Sequence, residues 1–591
     1  MLFLKSCIVL FISFISVLSF NNKDEKNLVA ASGQKNNFPK LQENSEWVRN
    51  KLSEMTLREK IAQMIVSHSE GLALDKSNKE YKRVKSLIEN HKIGGLIFFK
   101  GNSIQEAELI NDFQSLSETP LLISADFERG TKMRLDDGSL FPSNMGIGAT
   151  RNPELAYKMG LQIAKECRAI GVHQNYSPVM DVNNNPLNPI INVRSFGESP
   201  ELVSTMGDAM IKGLQDGNTI ATAKHFPGHG DTDIDSHNDL PVINFGKDRL
   251  DKIEIAPFKS AIKNGVMSVM IAHLAFPEIE KEPFVPASLS KSIVDGLLIN
   301  ELGFDGLIVT DALNMQGITK HFSTEEVALK CVNAGIDLIL MPQGEELTIS
   351  TIETAVKNGT ISVDRIDRSV TKILNAKKWL KLYDNKLVDV SKISSVVNNS
   401  DAQSLSQQIA DESITLVKNS SKTLPFKKSS NPDKVVVVSL NNGNDKVNSD
   451  FFSNEFNPKT SGYFSNVTTF DLSGEIAAEE TVNYILENNF ETVVIPVYAK
   501  VKIMTGTVGL PKSQLDLINT LVAKGKKVIV ISYGNPYLIQ GFPGVDSYIC
   551  AYGDSEASIR GSLKAIFGDI NFKGKLPVSI SDDFKFGTGL N

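Results

Sequence analysis

Short apolar runs alternate with stretches of helical periodicity between residues 47 and 385, and this alternation constrains the fold more than any other feature. The segments between the runs place apolar residues at helical spacing, and several begin with Ser or Asn-Pro and end with Gly. Eight strand-then-helix units in succession predict a parallel (β/α)8 barrel of the TIM type, not an open sheet. The eight runs typical of buried strands are residues 64–67, 95–99, 121–125, 171–182, 220–226, 266–275, 306–312 and 337–341.

A second series of strands begins after the polar segment that ends near residue 400. The apolar runs KVVVVSL, ETVVIPVYA, KKVIVISYG and DSYICAYG alternate with helical stretches such as SQLDLINTLVAKG. This pattern predicts a smaller α/β sandwich domain with an open sheet. The segment contains no glycine-rich phosphate-binding motif of the GxGxxG or GxxxxGK[ST] type, so nothing in it predicts a nucleotide site.

The N-terminal segment MLFLKSCIVLFISFISVLSF has the layout of a secretory signal, with one Lys, an apolar run and then a polar stretch. The apolar run is too short to favour a spanning helix. We therefore expect export to the periplasm or the medium, the alternative being an apolar tail without a role. The predicted boundaries are a signal at 1–20, a linker at 21–46, the barrel at 47–385, a linker at 386–400 and the C-terminal domain at 401–591.

Composition and charge limit the classes of partner that the chain is expected to bind. The chain has 591 residues, a formal net charge of −7, 41% hydrophobic and 22% charged residues, which is typical of a soluble globular protein with two large domains. This mildly acidic balance gives no electrostatic reason to bind nucleic acid or an anionic membrane surface. Only four cysteines occur, in no CxxC pair, so neither a zinc knuckle nor a disulfide framework is predicted. A small molecule or a neutral polymer is the expected partner.

Polar residues directly after the barrel strands are the candidates for chemistry, because active sites of such barrels form at the carboxyl ends of the strands. Each of these tips offers a carboxylate, a cation or an imidazole. The residues are Asp126, Glu128 and Arg134 after strand three, Asp181, Asn183 and Arg194 after strand four, and Asp311 after strand seven.

The segment after strand five is the richest of these tips, since three of the eight histidines lie within residues 225–237. Lys224 and His225 end the strand as donors. Asp235 and His237 are close enough for the carboxylate to orient the imidazole and raise its basicity, which suits proton transfer near neutral pH. An isolated Asp-x-His in a polar loop is more often a solvated turn, but this one follows a buried strand at the catalytic end of the barrel.

Metal chemistry is the weaker interpretation of the same segment. His225, His229, His237 and Asp235 are all possible ligands, yet no HxH or HExxH with fixed helical spacing is present. No metal and no cofactor is therefore predicted.

Asp311 is the second focus, because it comes directly after the apolar strand GLIVT and is followed by Ala-Leu. A carboxylate at a strand tip is sometimes only a helix N-cap. Here it faces the same barrel mouth as the histidines. A carboxylate plus a separate proton donor is what double-displacement hydrolysis of a glycoside requires.

The motifs KHFPGHGDTDIDSH, NVRSFGE and VTDALNM resemble those of the family 3 glycoside hydrolases, in particular their β-N-acetylglucosaminidase branch with a His-Asp acid/base dyad. The second-domain segments SITLVKN, LPF, ISYGNPYLI and GKLPVSI are similar to the second domain of that family, more loosely. The resemblance implies that Asp311 is the nucleophile, His237 the general acid/base and Asp235 its orienting partner. It also implies sugar-binding roles for a further set of residues, namely Asp126, Arg134, Arg194, Lys224 and His225.

One departure from the family pattern concerns the rim of the site. The family usually has a Gly-Gly pair after the Asp-x-Glu of strand three, whereas this chain has Arg129-Gly130. A long cation there is expected to change the shape or charge of the rim and puts the contacts of Arg134 in doubt.

The resemblance implies a retaining, exo-acting β-N-acetylglucosaminidase that acts on a small carbohydrate or glycan, with cell-wall muropeptides (peptidoglycan turnover) or chitin oligosaccharides as candidate substrates. A β-glucosidase or β-xylosidase, and a phosphorylase using the same site, are the near alternatives. A metal-dependent hydrolase and a non-catalytic carbohydrate-binding protein are the alternatives from other classes. The second domain is expected to be mainly structural or to help shape the rim.

Overall fold

The computed structural model describes residues 41, 45–72, 75–232, 239–443, 446–474, 478–499 and 508–591. These residues belong to one compact unit, Lys40–Asn591. The predicted signal at 1–20 lies outside the described residues, as do nearly all of the predicted linker at 21–46 and the candidate pair Asp235 and His237. No helix in the described part is long and apolar enough to cross a membrane.

Eight parallel strands form the first sheet, and the predicted barrel is confirmed. Their order is β7-β6-β5-β4-β3-β2-β1-β8. The circle closes between the outer two strands, where Val309 and Leu338 form a parallel bridge and Thr310 N–H donates to Leu338 O at 3.2 Å. The strands are β1 (Ile65–Ser69), β2 (Gly95–Phe98), β3 (Leu122–Ala125), β4 (Gln174–Asn175), β5 (Ile220–Phe226), β6 (Ser268–Ile271), β7 (Leu307–Thr310) and β8 (Ile339–Leu340).

Helices surround this sheet, and several of them begin at a residue whose side chain caps the first turn. Pro153 lies in the first turn of the longest helix, the Asn152 side chain caps its first turn, and Gly171 ends it in the left-handed region at φ +91°. The helices are α1 (Glu46–Glu54), α2 (Leu57–Gln63), α3 (Lys79–Glu89), α4 (Ser103–Leu116), α5 (Asn144–Thr150), α6 (Pro153–Ile170), α7 (Pro200–Asp216), α8 (Lys247–Lys252), α9 (Ala256–Lys263), α10 (Gln316–Thr319), α11 (Thr324–Ala334), α12 (Glu345–Lys357) and α13 (Val363–Trp379), with a π-helix at Ser292–Glu301.

Strand four is much shorter than predicted. The apolar run 171–182 forms strand only at Gln174–Asn175, although nearly all of it is buried. Pro178 has no N–H to donate to a ladder, and Met180 N–H instead donates to Lys224 O at the tip of β5. The prediction was wrong here because an apolar run reports burial, and after Asn175 this segment continues as a buried loop beside the end of β5.

The second sheet has the order β11-β10-β12-β13-β14-β9, in which β9 alone is antiparallel to its neighbour. Helices cover both faces, and a separate buried apolar cluster lies on each side of the sheet, which confirms the predicted α/β sandwich. The strands are β9 (Thr415–Asn419), β10 (Lys434–Asn441), β11 (Asn466–Ser473), β12 (Thr492–Tyr498), β13 (Lys527–Ser532) and β14 (Ser547–Cys550). The helices are α14 (Ile393–Val396), α15 (Ser400–Ser413), α16 (Lys446–Phe456), α17 (Ala478–Glu487), α18 (Lys512–Ala523) and α19 (Glu556–Ile566).

The barrel and the second sheet share a core. Met145 and Ala149 of α5 are buried in the same apolar cluster as strands β10, β12 and β13. The contact is also polar, since Ser143 Oγ donates to Tyr552 O at 2.6 Å and Ser579 Oγ donates to Glu198 at 2.6 Å. This packing holds the loops after β13 and β14 beside the mouth of the barrel.

Candidate active site

A cavity of about 610 Å³ opens at the carboxyl ends of the barrel strands and is lined by residues of both domains. Its size lies within the range of small-molecule sites. The barrel contributes most of the polar lining, and the second domain contributes the loops after β12, β13 and β14. The polar and charged residues around it include Asp126, Glu128, Arg129, Arg134, Asn144, Asn192, Arg194, Lys224, His225, His229, Asp311, Tyr533, Asn535, Tyr552 and Asp554.

Glu128 is the centre of the charged floor of this cavity. Its carboxylate accepts two hydrogen bonds from Arg194, at 3.0 Å from Nε and 2.7 Å from Nη2. Lys224 Nζ lies 2.8 Å from the same carboxylate. Burial alone would raise the pKa of Glu128, but the charges of Arg194 and Lys224 outweigh it and hold this pKa well below the usual range. Glu128 is therefore ionised and fixes both cations.

Asp126 extends the same network towards the rim. Its Oδ1 accepts from Lys224 Nζ at 2.8 Å, and its Oδ2 lies 3.4 Å from Arg134 Nη2. The Arg134 guanidinium lies over the Phe99 ring, 5.4 Å from its centroid. Burial would lower the pKa of Lys224, but the carboxylates of Asp126 and Glu128 raise it, so the ammonium stays charged. The cluster presents fixed donors and acceptors of the kind that bind sugar hydroxyls.

His225 lies next to this network and is held by a carboxylate beneath it. Asp181 Oδ2 lies 2.7 Å from His225 Nδ1, and Asp181 Oδ1 accepts from His229 N–H at 2.7 Å. Asp181 is fully buried; burial would raise its pKa, but His225 and the N–H of His229 lower it. An ionised Asp181 makes Nδ1 of His225 a donor. Nε2, which faces Arg194 Nη2 at 3.4 Å, is then free to accept.

The loop after β5 is anchored up to the last residue described before the gap at 233–238. Asn188 Nδ2 donates to the carbonyl oxygens of His229 and Gly230, both at 2.9 Å. His229 Nδ1 lies 3.1 Å from Thr232 Oγ1. Burial, and secondly the charge of His225, lowers the pKa of His229 to about 4, so this imidazole is neutral at neutral pH.

Asp311 stands at the tip of β7, half-buried, with its carboxylate on the cavity. Its Oδ1 accepts the Ala312 N–H at 2.8 Å. Burial disfavours its charged form, but His273, His225 and the Ala312 N–H together lower the pKa of Asp311 to about 2. In contrast to Asp126, Glu128 and Asp554, it has no cation within 4.0 Å among the residues that the structure describes. An ionised carboxylate without an ion pair is suited to attack.

The structure brings together six residues that the sequence analysis selected, namely Asp126, Arg134, Arg194, Lys224, His225 and Asp311. His237 and Asp235 lie outside the described residues, so their positions stay predictions. The sequence analysis noted Glu128 and Asp181 without giving them a role, although both end segments at the catalytic end of the barrel. The segment MIAHLAFP at the end of β6 was also among the strand tips of interest, but its His273 was given no role.

Arg129, the residue at which the chain departs from its expected pattern, points to the second domain. Its Nη2 lies 3.5 Å from Asp554 Oδ1, in the loop after β14. Arg134 Nη2 lies 3.4 Å from Asp126 Oδ2, so the presence of Arg129 does not remove this contact of Arg134. The second domain thus forms part of the rim, one of the two roles expected for it.

Within the described ranges, no three His, Cys, Asp or Glu side chains converge to hold an ion, and two of the possible ligands, Asp235 and His237, lie outside these ranges. His225 Nδ1 faces Asp181 instead.

Family models match both domains of the chain. Residues 56–376 match the glycosyl hydrolase family 3 N terminal domain. The chain belongs to glycosyl hydrolase family 3. Residues 414–586 match the glycosyl hydrolase family 3 C-terminal domain, so both domains of the chain match this family.

Three relatives differ in the activity that their names give. Beta-hexosaminidase A of Pseudoalteromonas piscicida is 33% identical over 368 residues, which are 57% of this chain and 61% of that protein. The structure of a family 3 beta-N-acetylglucosaminidase from Paenibacillus sp. str. FPU-7 is 34% identical with a TM-score of 0.77, covering 89% of this chain and 99% of that one. The structure of beta-glucoside phosphorylase BglX bound to 2FGlc is 26% identical with a TM-score of 0.82, covering 93% and 98%.

Proposed function

We propose that this family 3 protein is a retaining, exo-acting β-N-acetylglucosaminidase. The observation that carries the proposal is Asp311, a carboxylate at the cavity with a lowered pKa and no ion pair to any described residue, beside a fixed cluster of sugar-binding type. In the first step Asp311 attacks the anomeric carbon, the bond to the leaving oxygen breaks, and that oxygen takes a proton from the general acid. Water then attacks the glycosyl-enzyme, gives its proton to the same group, and the carboxylate is released.

His237 is proposed as the general acid/base and Asp235 as its partner, on the resemblance of the GHGDTDIDSH segment. No carboxylate among the described cavity residues competes for this role, since Asp126 and Glu128 are ion-paired and Asp554 lies near Arg129. A histidine in this role has a pKa nearer to neutral pH than a carboxylate, so it gives and retrieves the proton under ordinary conditions.

The sugar subsite is proposed to consist of Asp126, Lys224, His225 and Arg194, with Arg134 at its rim. These groups are already fixed by one another through bonds of 2.7–3.4 Å, so little ordering remains to be done when a sugar binds. N-Acetylglucosamine is the proposed sugar because relatives at 33% and 34% identity carry hexosaminidase and β-N-acetylglucosaminidase names. With export by residues 1–20, muropeptides and chitin oligosaccharides are the proposed natural substrates.

The test replaces the proposed nucleophile by its isostere. Asp311→Asn is expected to lower turnover of an aryl β-N-acetylglucosaminide at least about a thousandfold, because the amide cannot form the covalent intermediate. Asp305→Asn, an exposed position just before β7, is the matched control and is expected to keep full activity. Unchanged turnover in Asp311→Asn with normal circular dichroism would overturn the proposal. The anomer of the first product, followed by NMR, tests retention.

A phosphorylase is the second candidate, supported by the 0.82 TM-score with beta-glucoside phosphorylase BglX. In that reaction phosphate, not water, attacks the glycosyl-enzyme, and a sugar 1-phosphate leaves. Phosphate at millimolar concentration separates the candidates: a hydrolase yields free sugar at an unchanged rate, whereas a phosphorylase yields sugar 1-phosphate. A panel of aryl glycosides comparing N-acetylglucosamine with glucose and xylose decides the sugar in the same assay.

A further inference from the structure

Glu106 on α4 is a buried carboxylate without a partner. Its side chain is 0% exposed, and both of its oxygens lack a hydrogen bond from any residue that the structure describes. It is not among the residues that line the active-site cavity. A buried carboxylate in this condition is costly unless a proton or a cation accompanies it, so the surroundings of Glu106 decide which of the two fits.

Two backbone carbonyl oxygens lie near Glu106, in the loops after β1 and β2. Lys100 O lies 2.3 Å, and Glu106 Oε2 lies 2.7 Å, from the point where a β-carbon on Gly71 would be. Gly71 O lies 2.5 Å from the corresponding point on Gly101, and Glu106 Oε2 lies 3.6 Å from it. Neither carbonyl oxygen accepts a backbone hydrogen bond within the described ranges. The Glu106 carboxylate and these two carbonyl oxygens are therefore neighbours, and no described residue donates a hydrogen bond to any of the three.

Glycine at both positions keeps this space open. Gly71 has φ +80° and Gly101 has φ +155°, and a β-carbon at either one would lie within 2.5 Å of a carbonyl oxygen. The arrangement is therefore a cradle of acceptors that excludes side-chain atoms and supplies no donor.

We propose that Glu106, Gly71 O and Lys100 O bind a hard cation, for which Ca²⁺ is the matching probe. Carboxylate and carbonyl oxygens are the ligands that Ca²⁺ prefers, at about 2.3–2.6 Å, and its coordination tolerates irregular geometry. Soft metals are not expected, because no sulfur or imidazole ligand is part of the set. This site differs from the histidine-rich metal centre considered for the barrel mouth, because two of its three ligand groups are backbone carbonyls.

Neighbouring charges favour a cation in this place. Asp137 carries a second negative charge close by, and its oxygens accept from Ser103 N–H, Ser103 Oγ and Asn102 Nδ2, at 2.9, 2.6 and 3.1 Å. The ammonium of Lys100 pairs with Glu70. Neither Glu106 nor Asp137 forms an ion pair with a residue that the structure describes, so a bound ion would compensate their negative charge.

A proton is the rival occupant. Burial, and secondly the charge of Asp137, raises the pKa of Glu106 to about 8 when no ion is present. A protonated Glu106 would be neutral and would show no preference for any metal. The two states are distinguished by whether a cation binds.

Backbone hydrogen bonds connect the cradle to Arg134 at the rim of the sugar subsite. Gly101 N–H donates to Arg134 O at 3.1 Å, and Asp136 N–H donates to Gly101 O at 3.0 Å. A cation held by the loops after β1 and β2 would fix this pairing and with it the backbone of Arg134. The site would stabilise the rim without taking part in bond cleavage, so it does not depend on the proposed function.

The experiment measures cation binding on the full chain after treatment with EDTA and dialysis. Thermal unfolding is followed with CaCl₂, MgCl₂, NaCl or KCl, with choline chloride as the ionic-strength control, and the stoichiometry is measured by calorimetry. The wild-type chain is expected to bind one Ca²⁺ and to gain at least about 2 °C in Tm at saturation. Glu106→Gln is expected to lose both effects. Glu108→Gln, an exposed residue on the same helix, is the matched control and is expected to keep both.

Two outcomes would overturn the proposal. The first is a wild-type chain whose Tm and calorimetry do not respond to any of the cations relative to choline. The second is an undiminished response in Glu106→Gln. If Glu106→Gln does not fold, a crystal of the wild-type chain soaked in Ca²⁺ decides: an anomalous peak bonded to Glu106 supports the site, and its absence there contradicts it.

Discussion

Asp181 and His225 form a buried carboxylate–imidazole pair, with Asp181 Oδ2 2.7 Å from His225 Nδ1. The same carboxylate accepts the backbone N–H groups of His225 and His229. One buried group therefore sets the tautomer of His225 and also holds the start of the loop that leads to residues 233–238.

Asp181→Asn is expected to lower kcat/KM for an aryl glycoside by roughly ten- to a hundredfold, the usual cost of losing the hydrogen-bonded partner of a functional histidine. The amide retains the size of the carboxylate but not its charge, so the tautomer of His225 is no longer fixed. The effect is measured by steady-state kinetics beside Asp248→Asn, an exposed control. Equal kinetics in the two variants would show that the pair has only a structural role.

Glu128 is expected to matter for stability as well as for activity. Glu128→Gln leaves Arg194 and Lys224 buried with one fewer negative charge, and breaking a buried ion pair costs about 3 kcal/mol. Urea unfolding measures the free energy of unfolding, and KM for the aryl glycoside is expected to rise because both cations shift. Glu201→Gln, in the exposed first turn of α7, is the control. A variant as stable as the control would contradict the role of Glu128 as the anchor.

The low pKa of Asp311 makes a prediction about the pH profile. A depressed pKa keeps the carboxylate charged as the pH falls, and with a pKa of about 2 Asp311 stays ionised throughout the usual assay range. Asp311 then causes no loss of kcat/KM in that range, and the loss as the pH rises from about 6 to 8 is assigned to His237, which must be protonated to give its proton to the leaving oxygen in the first step. His237→Gln, assayed with a 4-nitrophenyl leaving group that needs no protonation, is expected to give a flat profile there. A titration that persists in this variant would count against the assignment.

The barrel could be predicted from the sequence because each of its strands is indicated by a local run of apolar residues. Residues 220–226 were predicted as a strand and form β5 over the same residues, since a buried parallel strand is apolar along its whole length. Residues 171–182 were equally apolar but are mostly loop, because apolarity reports burial without reporting a ladder. Strand β11 was missed for the opposite reason: it lies at the sheet edge, and many of its side chains are exposed or half-buried.

The sequence was sufficient to predict which residues lie at the site, but not which of them form ion pairs with each other. Asp126 and Asp311 each follow a strand and Lys224 lies near the carboxyl end of β5, so the barrel geometry alone places them at one mouth. The pairing of Glu128 with Arg194 joins positions 66 residues apart and depends on how the buried loop after β4 folds back. The rim residues Tyr552 and Asp554 depend on how two domains pack, and no local pattern in the sequence carries that information.

The packing of α5 against the second sheet predicts that the barrel does not function alone. A chain ending at residue 400 would expose Met145 and Ala149, which are 0% exposed in the full chain and belong to a cluster built mainly by the second domain. It would also remove the acceptor of Ser143 and the partner of Arg129. We expect this fragment to aggregate or to unfold without cooperativity, as measured by circular dichroism and size-exclusion chromatography.

The control for that truncation is Ser143→Ala in the full chain, which removes the same hydrogen bond to Tyr552 O without exposing the apolar cluster. It is expected to cost about 1 kcal/mol in the free energy of unfolding and to keep most of the activity. A soluble fragment with full turnover of the aryl glycoside would contradict the shared core and show that the second domain is dispensable for catalysis. A folded but inactive fragment would instead show that the second domain contributes to activity through the residues that it supplies to the rim.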